Sequence, residues 1–286
     1  MTDKQIIEMT DISERAQKPN STIPRPFLKW AGSKRALLGN FVDFIPSTFR
    51  TYREPFLGSG AMFFLLRPDR AVLSDACREL IQSFVALRDN AGQVLRHLEN
   101  LPIDRQTFYR IRKNRSPHKY RRAAEFIYLN KTCWNGLYRV NASGIFNVPF
   151  GSKSPKKIAE PENIRQCAKV LRKIEVAIRE CDFEGNLAQA SRGDLVYLDP
   201  PYVTSHNDNG FIEYNEVLFS WKDQKRLAAL AERARRMGAH VVISNAADRR
   251  VISLYPNFRV KFINRVSTLA SNTAKRKAVK EAVIFS

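Results

Sequence analysis

Acidic residues are scarce in this chain: 28 Asp and Glu stand against 48 Lys and Arg in 286 residues, a formal net charge of +20. Long apolar runs are missing too. None approaches the roughly 18 to 20 residues that a membrane-spanning helix requires, so no span is expected. Cysteine is sparse, and Cys77, Cys133, Cys167 and Cys181 form no CxxC pair. That argues against a zinc ribbon or a disulfide framework, and predicts reduced thiols and a cytoplasmic setting. The four histidines make no HExxH or HxH pattern, so no metal site is predicted. A Gly-Lys-Ser/Thr phosphate loop is absent, as is the third glycine of a dinucleotide fingerprint. The first 26 residues lack the basic-then-apolar order of a secretory signal. They read as a flexible leader that stops at Pro24-Arg25-Pro26.

What is present is an ordinary globular composition, 44% hydrophobic and 27% charged. The chain is long enough for one large domain or two small ones, so the excess charge rides on a folded body. Such a surplus repels itself and is best compensated by a polyanion, nucleic acid first and an anionic membrane surface second. An evenly basic enzyme without a polyanionic partner is the plainer alternative.

Apolar periodicity and turn residues give an α/β order. After a loop and a helix that Ser33 would cap, a strand near Thr51 meets the turn Phe56-Leu57-Gly58-Ser59-Gly60 and the apolar helix AMFFLL. A second strand, Ala71 to Ser74, ends on Asp75. Residues 79 to 128 read as helical, and the run Arg105 to Arg122 holds eight Lys/Arg and no acid. The segment Asn130 to Gly151 is turn-rich and predicts a β-hairpin on a helical base. A helix near Ile164 to Ile174 precedes strands at Asp194–Leu198, Ala239–Ser244 and Ala282–Phe285, with a charged helix Lys222–Met237 among them. The expected division is a leader over 1–26, a discontinuous sheet domain over 27–78 and 162–286, and an inserted module over 79–161.

The motif with the most chemistry is Asp199-Pro200-Pro201-Tyr202, placed after a buried strand. Ligands of doubly wound sheets sit at the carboxyl ends of strands. Two prolines stiffen the turn and remove two backbone donors, leaving fixed carbonyl acceptors beside a carboxylate and an aromatic face. That set suits an exocyclic amine. The plainer reading is a strand-ending turn with a surface acid. Gly58 and Gly60 permit close approach to a ligand, and Asp75 one strand later suits ribose hydroxyls, or else a helix cap.

These blocks together resemble the Dam-like, D12-class DNA adenine-N6 methyltransferases of the α order. FLKWAGSKRALL, YREPFLGSGAMFF, LSDACREL, LNKTCWNGLYRVNASGIFNVPFG, GDLVYLDPPY and VVISNA stand in that family's order from Phe27 nearly to the C-terminus. The resemblance implies a Rossmann-like sheet that binds S-adenosylmethionine, with an inserted, mainly helical target-recognition domain carrying the hairpin. Trp30, Gly32, Lys34, Phe56, Gly58, Gly60, Asp75, Asp182 and Asp199 would contact the cofactor. Asp199, Pro200, Pro201 and Tyr202 would act on a flipped adenine. Lys29, Arg112, Asn135, Leu137, Tyr138, Arg139 and Asn141 would meet double-stranded DNA, and GATC is the implied site. On residue chemistry alone, Arg139 suits guanine and Asn135 and Asn141 suit adenine or phosphate, Leu137 and Tyr138 suit a wedge or a thymine methyl, and each Asn is otherwise a turn residue. The basic run is either a phosphate-contacting face or a solvated helix.

Some positions depart from the family pattern: Trp134, Tyr138, Val140, and Gly210 to Tyr214 in place of a phenylalanine-threonine block. The competing functions are an RNA adenine-N6 enzyme, a DNA cytosine-N4 enzyme and an inactive DNA-binding regulator. Aspartate rather than serine at 199 counts against the cytosine branch, and intact Lys34, Asp75, Asp199 and Tyr202 count against the regulator.

Overall fold

The computed structural model describes residues 23–30, 41–141, 143–152, 155, 157–173, 175–202, 219–266 and 278–286. Gly32, Ser33, Lys34, the leader up to residue 22, the segment 210–214 and residues 275–277 lie outside these. In chain order, β1 (Tyr52–Glu54), α1 (Ala61–Leu66), β2 (Arg70–Asp75) and α2 (Arg78–Glu99) open the fold. Helices α3 (Arg105–Lys113) and α4 (Lys119–Thr132) and an arm over residues 133–151 come next. Then α5 (Pro161–Lys173) leads into β3 (Glu175–Glu180), α6 (Phe183–Leu187), β4 (Leu195–Leu198), α7 (Trp221–Arg236) and β5 (His240–Ala246). The chain ends with α8 (Arg249–Ile252), β6 (Arg259–Val266) and β7 (Ala278–Phe285).

The seven strands form one sheet in the order β3-β2-β1-β4-β5-β7-β6, parallel except for β7. This is the expected mixed α/β, Rossmann-like methyltransferase architecture. Strands β1 to β3 run to one side and β4 onward to the other, so the topological switch point lies between β1 and β4. A crevice opens there at the carboxyl ends of the strands. Register then decides which side chains meet. Tyr52 pairs with both Ala71 and Leu195, and side chains alternate faces along a strand. Glu54 on β1, Asp75 at the end of β2 and Asp199 just past β4 therefore share one face.

Each face of the sheet has its own core. One packs Tyr52, Leu73 and Tyr197 against α2, α4, α5 and residues 27–28 and 41–45, including Phe27, Phe84, Phe126 and Ile164. The other packs Val196, Leu198 and Ile243 against α6 and α7. Among the described residues the helices between β2 and β3 pack into the first of these cores, so the arm is referenced to the sheet. The last residues of the expected leader are docked as well. Asn163 on α5 accepts from Arg25 N at 2.8 Å and donates to Arg25 O at 2.9 Å.

The arm is antiparallel, as the turn signals suggest, but two isolated bridges, Cys133–Phe150 and Val140–Phe146, replace a continuous ladder. A 3-10 turn over Trp134–Gly136 puts Asn135 at φ 53° and Gly136 at φ 64°, which breaks strand geometry at its base. Pro149 removes one donor from the opposite side.

A buried ion network locks the amino ends of β1 and β4. Asp194, fully buried, accepts from Arg53 Nε at 2.7 Å and from Arg50 at 3.0 Å. Arg53 also donates to the carbonyls of Gln189 and Asn186. Asp194→Ala leaves a buried, uncompensated guanidinium and is expected to cost about 3–5 kcal/mol of stability. Urea unfolding checks this, and a loss under about 1 kcal/mol would show that water reaches Arg53.

Candidate active site

The crevice is walled on one side by the turn after β1. Asp75, half-buried, accepts from Gly58 N at 3.0 Å through one carboxylate oxygen and from Cys77 N at 2.9 Å through the other. Its first function is thus to hold the glycine turn in shape. Gly58 sits at φ 47°, and a β-carbon there would lie 2.7 Å from Trp30 Cδ1. No larger residue fits between the turn and the indole. Phe56 stacks on Phe183 at 5.5 Å and meets Phe219 edge-on at 5.6 Å. Asp182, next to Phe183, caps α6 through Glu184 N at 2.9 Å and pairs with Arg226 at 2.6 Å. Arg226 in turn lies 4.4 Å over the Phe183 ring. The structure therefore gathers Trp30, Phe56, Gly58, Gly60, Asp75 and Asp182 around one end of the sheet.

The opposite wall is Asp199-Pro200-Pro201-Tyr202. The Tyr202 hydroxyl lies 2.7 Å from Ser244 Oγ on β5, and Gln224 of α7 donates to the Pro201 carbonyl at 3.3 Å. Asn245 reaches the same glutamine at 3.4 Å. Strand β5 and helix α7 thus fix the proline turn and the phenol ring from behind. Asp199 and Tyr202 are both half-buried at the mouth.

Above the crevice stands the arm. Asn130, buried on α4, clamps the backbone of Lys29 with two bonds of 2.8 and 2.7 Å. The exposed Lys29 side chain lies across Gly136, where a β-carbon would come within 2.7 Å of it. Asn135 and Arg139 face outward, and Arg139 is oriented by Asn147 at 2.9 Å. Asn141 shapes the tip, its side-chain oxygen accepting from Ser143 N and Ile145 N. Arg112 braces the arm from α3 by donating to the Val148 carbonyl at 3.2 Å while lying over Tyr109. Leu137 and Tyr138 turn inward. The Tyr138 ring contacts Trp30, Phe126 and Phe146, so it is not presented as a surface wedge. Trp134, 47% exposed, is the large apolar side chain that projects from the base of the arm.

Comparison with known proteins gives the family. Residues 30–269 match the family described as D12 class N6 adenine-specific DNA methyltransferase. The chain belongs to this family. It is 33% identical to the type II methyltransferase M1.LlaDCHI of Lactococcus lactis over 91% of its own length and 94% of that protein's. It is 30% identical to the type II methyltransferase M.MjaIII of Methanocaldococcus jannaschii, covering 88% and 95% respectively. The DNA adenine methylase of Escherichia coli K12 is likewise 30% identical, over 90% of this chain and 93% of that one. The protein is an enzyme, a DNA adenine-N6 methyltransferase.

Glu54 lies within the block YREPFLGSGAMFF and is a further carboxyl beside the crevice, one that the sequence reading does not single out. It is 3% exposed, on the face shared with Asp75 and Asp199. Burial holds its carboxyl well above the usual carboxylate range. The nearby charges of Asp199 and Asp75 push the same way, against the Tyr52 hydroxyl and the Phe63 N–H. Its position directly before Pro55-Phe56, at the end of an apolar strand, is the one signal in the sequence. The sign of the pH effect follows. Unfolded Glu54 ionises in the ordinary range while folded Glu54 keeps its proton higher, so unfolding releases a proton between the two. Stability falls with rising pH in that window, by up to about 1.4 kcal/mol per pH unit for one full proton. Glu54→Gln is expected to remove that slope and to gain on the native protein as pH rises above about 5 in urea titrations. Parallel pH profiles would show that Glu54 is ionised in the fold.

The remaining buried titratable groups include thiols. Burial pushes Cys77 up to about 12, Cys133 to about 11 and Cys167 to about 12. Neutral thiols make poor nucleophiles, in keeping with a reaction that needs no covalent enzyme intermediate.

Proposed function

We propose that this methyltransferase uses S-adenosylmethionine to methylate adenine N6 in duplex DNA, at GATC. The carrying observation is the placement of the glycine turn and Asp199-Pro200-Pro201-Tyr202 on opposite lips of the switch point between β1 and β4. The residues present suit the cofactor: the turn cannot hold a side chain at Gly58, Trp30 offers an aromatic edge beside it, and acidic groups line the floor. Trp30, Gly58, Gly60 and Asp75 would hold it, with Phe56 and Asp182 towards its base, and Gly32 and Lys34 as further contacts. When bound, it supplies an electrophilic methyl group on a sulfonium centre.

The chain's own residues then have a defined task. The adenine N6 lone pair is delocalised into the ring and is a weak nucleophile. Asp199 and the Pro200 carbonyl accept the two N6–H groups, favour pyramidal nitrogen and stabilise the positive charge that develops there. Tyr202, fixed by Ser244, stacks on the base. Holding the reacting atoms in line is worth effective molarities on the order of 10⁵–10⁸ M. The base must leave the duplex to reach this crevice. Lys29, Asn135, Arg139 and Asn141 are the proposed readers. Trp134, exposed at the arm's base, is better placed than Leu137 or Tyr138 to fill the stack that the flipped base vacates.

The test is methyl transfer from labelled cofactor to duplex DNA and to RNA, with nucleoside analysis, followed by digestion with methyl-sensitive and methyl-insensitive enzymes cutting at GATC. N6-methyladenine in DNA with GATC protected is the expected result. Methylation elsewhere with GATC unprotected overturns the site, and product in RNA alone overturns the substrate.

A further inference from the structure

Family resemblance assigns Tyr138 to DNA contact, yet this residue lies where the arm meets the cofactor side of the crevice. Its ring stacks on Trp30 with centroids 5.4 Å apart and planes 20° from parallel. It is boxed in by Phe126 at 5.7 Å and Phe146 at 5.9 Å, one on α4 and one on the returning side of the arm. Its hydroxyl is among the groups that offset the effect of burial on the Cys77 thiol, and the Cys77 N–H is held by Asp75. Trp30 in turn fills the space over Gly58 so closely that only hydrogen is tolerated there. One side chain therefore touches the indole and the segment after β2, two parts of the proposed cofactor pocket, while forming part of the DNA-reading arm.

We infer that Tyr138 is a positioning residue that couples the two ligands: cofactor against Trp30 orders Tyr138 and with it the arm, and DNA on the arm orders the pocket. The inference rests on the proposed placement of the cofactor at Trp30 and Gly58. The physical basis is shared ordering. Whichever ligand binds first immobilises the Trp30–Tyr138 stack, and the second no longer bears that entropic cost. Linkage makes the effect reciprocal. The contact is local to one short stretch of the arm, since Gly136 is pressed against Lys29 while Tyr138 is pressed against Trp30.

The probe is S-adenosylhomocysteine, which cannot transfer a methyl group, titrated by calorimetry with and without saturating duplex DNA. In the native protein DNA is expected to tighten the probe by about fivefold or more, a typical coupling. Tyr138→Phe keeps the stack and should retain that factor. Tyr138→Leu keeps apolar volume, so the fold survives, and should reduce the factor to within about twofold of unity. Equal tightening in Tyr138→Leu, or none in the native protein, overturns the inference. Trp30→Ala without DNA reads the underlying placement separately. A marked loss of probe affinity is expected, and unchanged affinity overturns the cofactor's position whatever Tyr138 does.

Discussion

Asp199→Ala is expected to lower turnover by about 10²–10³-fold or more while duplex binding stays within a few-fold of native. The size follows from what the carboxylate is asked to do. The amine becomes a competent nucleophile only as its lone pair leaves the ring, and positive charge appears on N6 as the new bond forms. A carboxylate at the mouth of the crevice, held by the end of β4 and a proline turn, interacts more strongly with that charge than with the neutral amine. It therefore acts on the transition state more than on the ground state. Alanine removes the acceptor and leaves the turn, because the turn's shape depends on Pro200, Pro201 and the bond from Gln224. Asp199→Asn restores one acceptor without the charge and should fall between the two. In the proposed arrangement the arm and α3 grip the DNA, so binding is spared. Single-turnover rates with saturating cofactor and DNA separate these effects. Near-native rates in Asp199→Ala would remove the carboxylate from the mechanism.

Much of this architecture is legible in the amino-acid sequence itself. The strands read at 71–74, 194–198, 239–244 and 282–285 announce themselves as apolar runs because these stretches are buried within the sheet. The strands without such a signal, β3 (EVAIRE) and β6 (RVKFINRV), are the two edges of the sheet. Edge strands carry charge and sit half-exposed, so their composition resembles surface loop. The proposed catalytic motif is legible because proline, glycine and a strand-ending acid have strong local signatures. Glu54 is not, since its role depends on strand register with β4. The inward packing of Tyr138 is hidden for a similar reason: an aromatic residue in a polar arm reads as exposed, and only the proximity of Trp30, far earlier in the chain, turns it inward. The basic run is half legible. Its positive charge is plain in the sequence, whereas the acids that neutralise it lie elsewhere.

Those acids set the second large effect, the salt dependence of DNA binding. Of the eight basic residues between Arg105 and Arg122, Arg115 and Arg122 pair with Glu79, Arg121 with Glu125 and Lys119 with Asp89. Arg112 is engaged with the arm's carbonyls. The exposed remainder, Arg105, Arg110 and Lys113, lies on α3, which the arm joins through Phe108 against Phe150 and through Arg112. Helix α3 is thus the basic shoulder of the arm, while α4 uses its charges internally. With Lys29 and Arg139 this makes about five cations, and as many phosphates neutralised give a slope of log K against log salt of about −4.5. Affinity is then expected to fall about 500-fold between 50 and 200 mM salt. Replacing Arg110 and Lys113 together by glutamine should flatten the slope by about two units of log K per log salt. The same change in Lys119 and Arg121 should leave it nearly unaltered, because those charges are paired with Asp89 and Glu125. Fluorescence anisotropy on one duplex across a salt series measures all three proteins. A slope lost on replacing the α4 pair instead would mean that the ion pairs with Asp89 and Glu125 open when DNA binds.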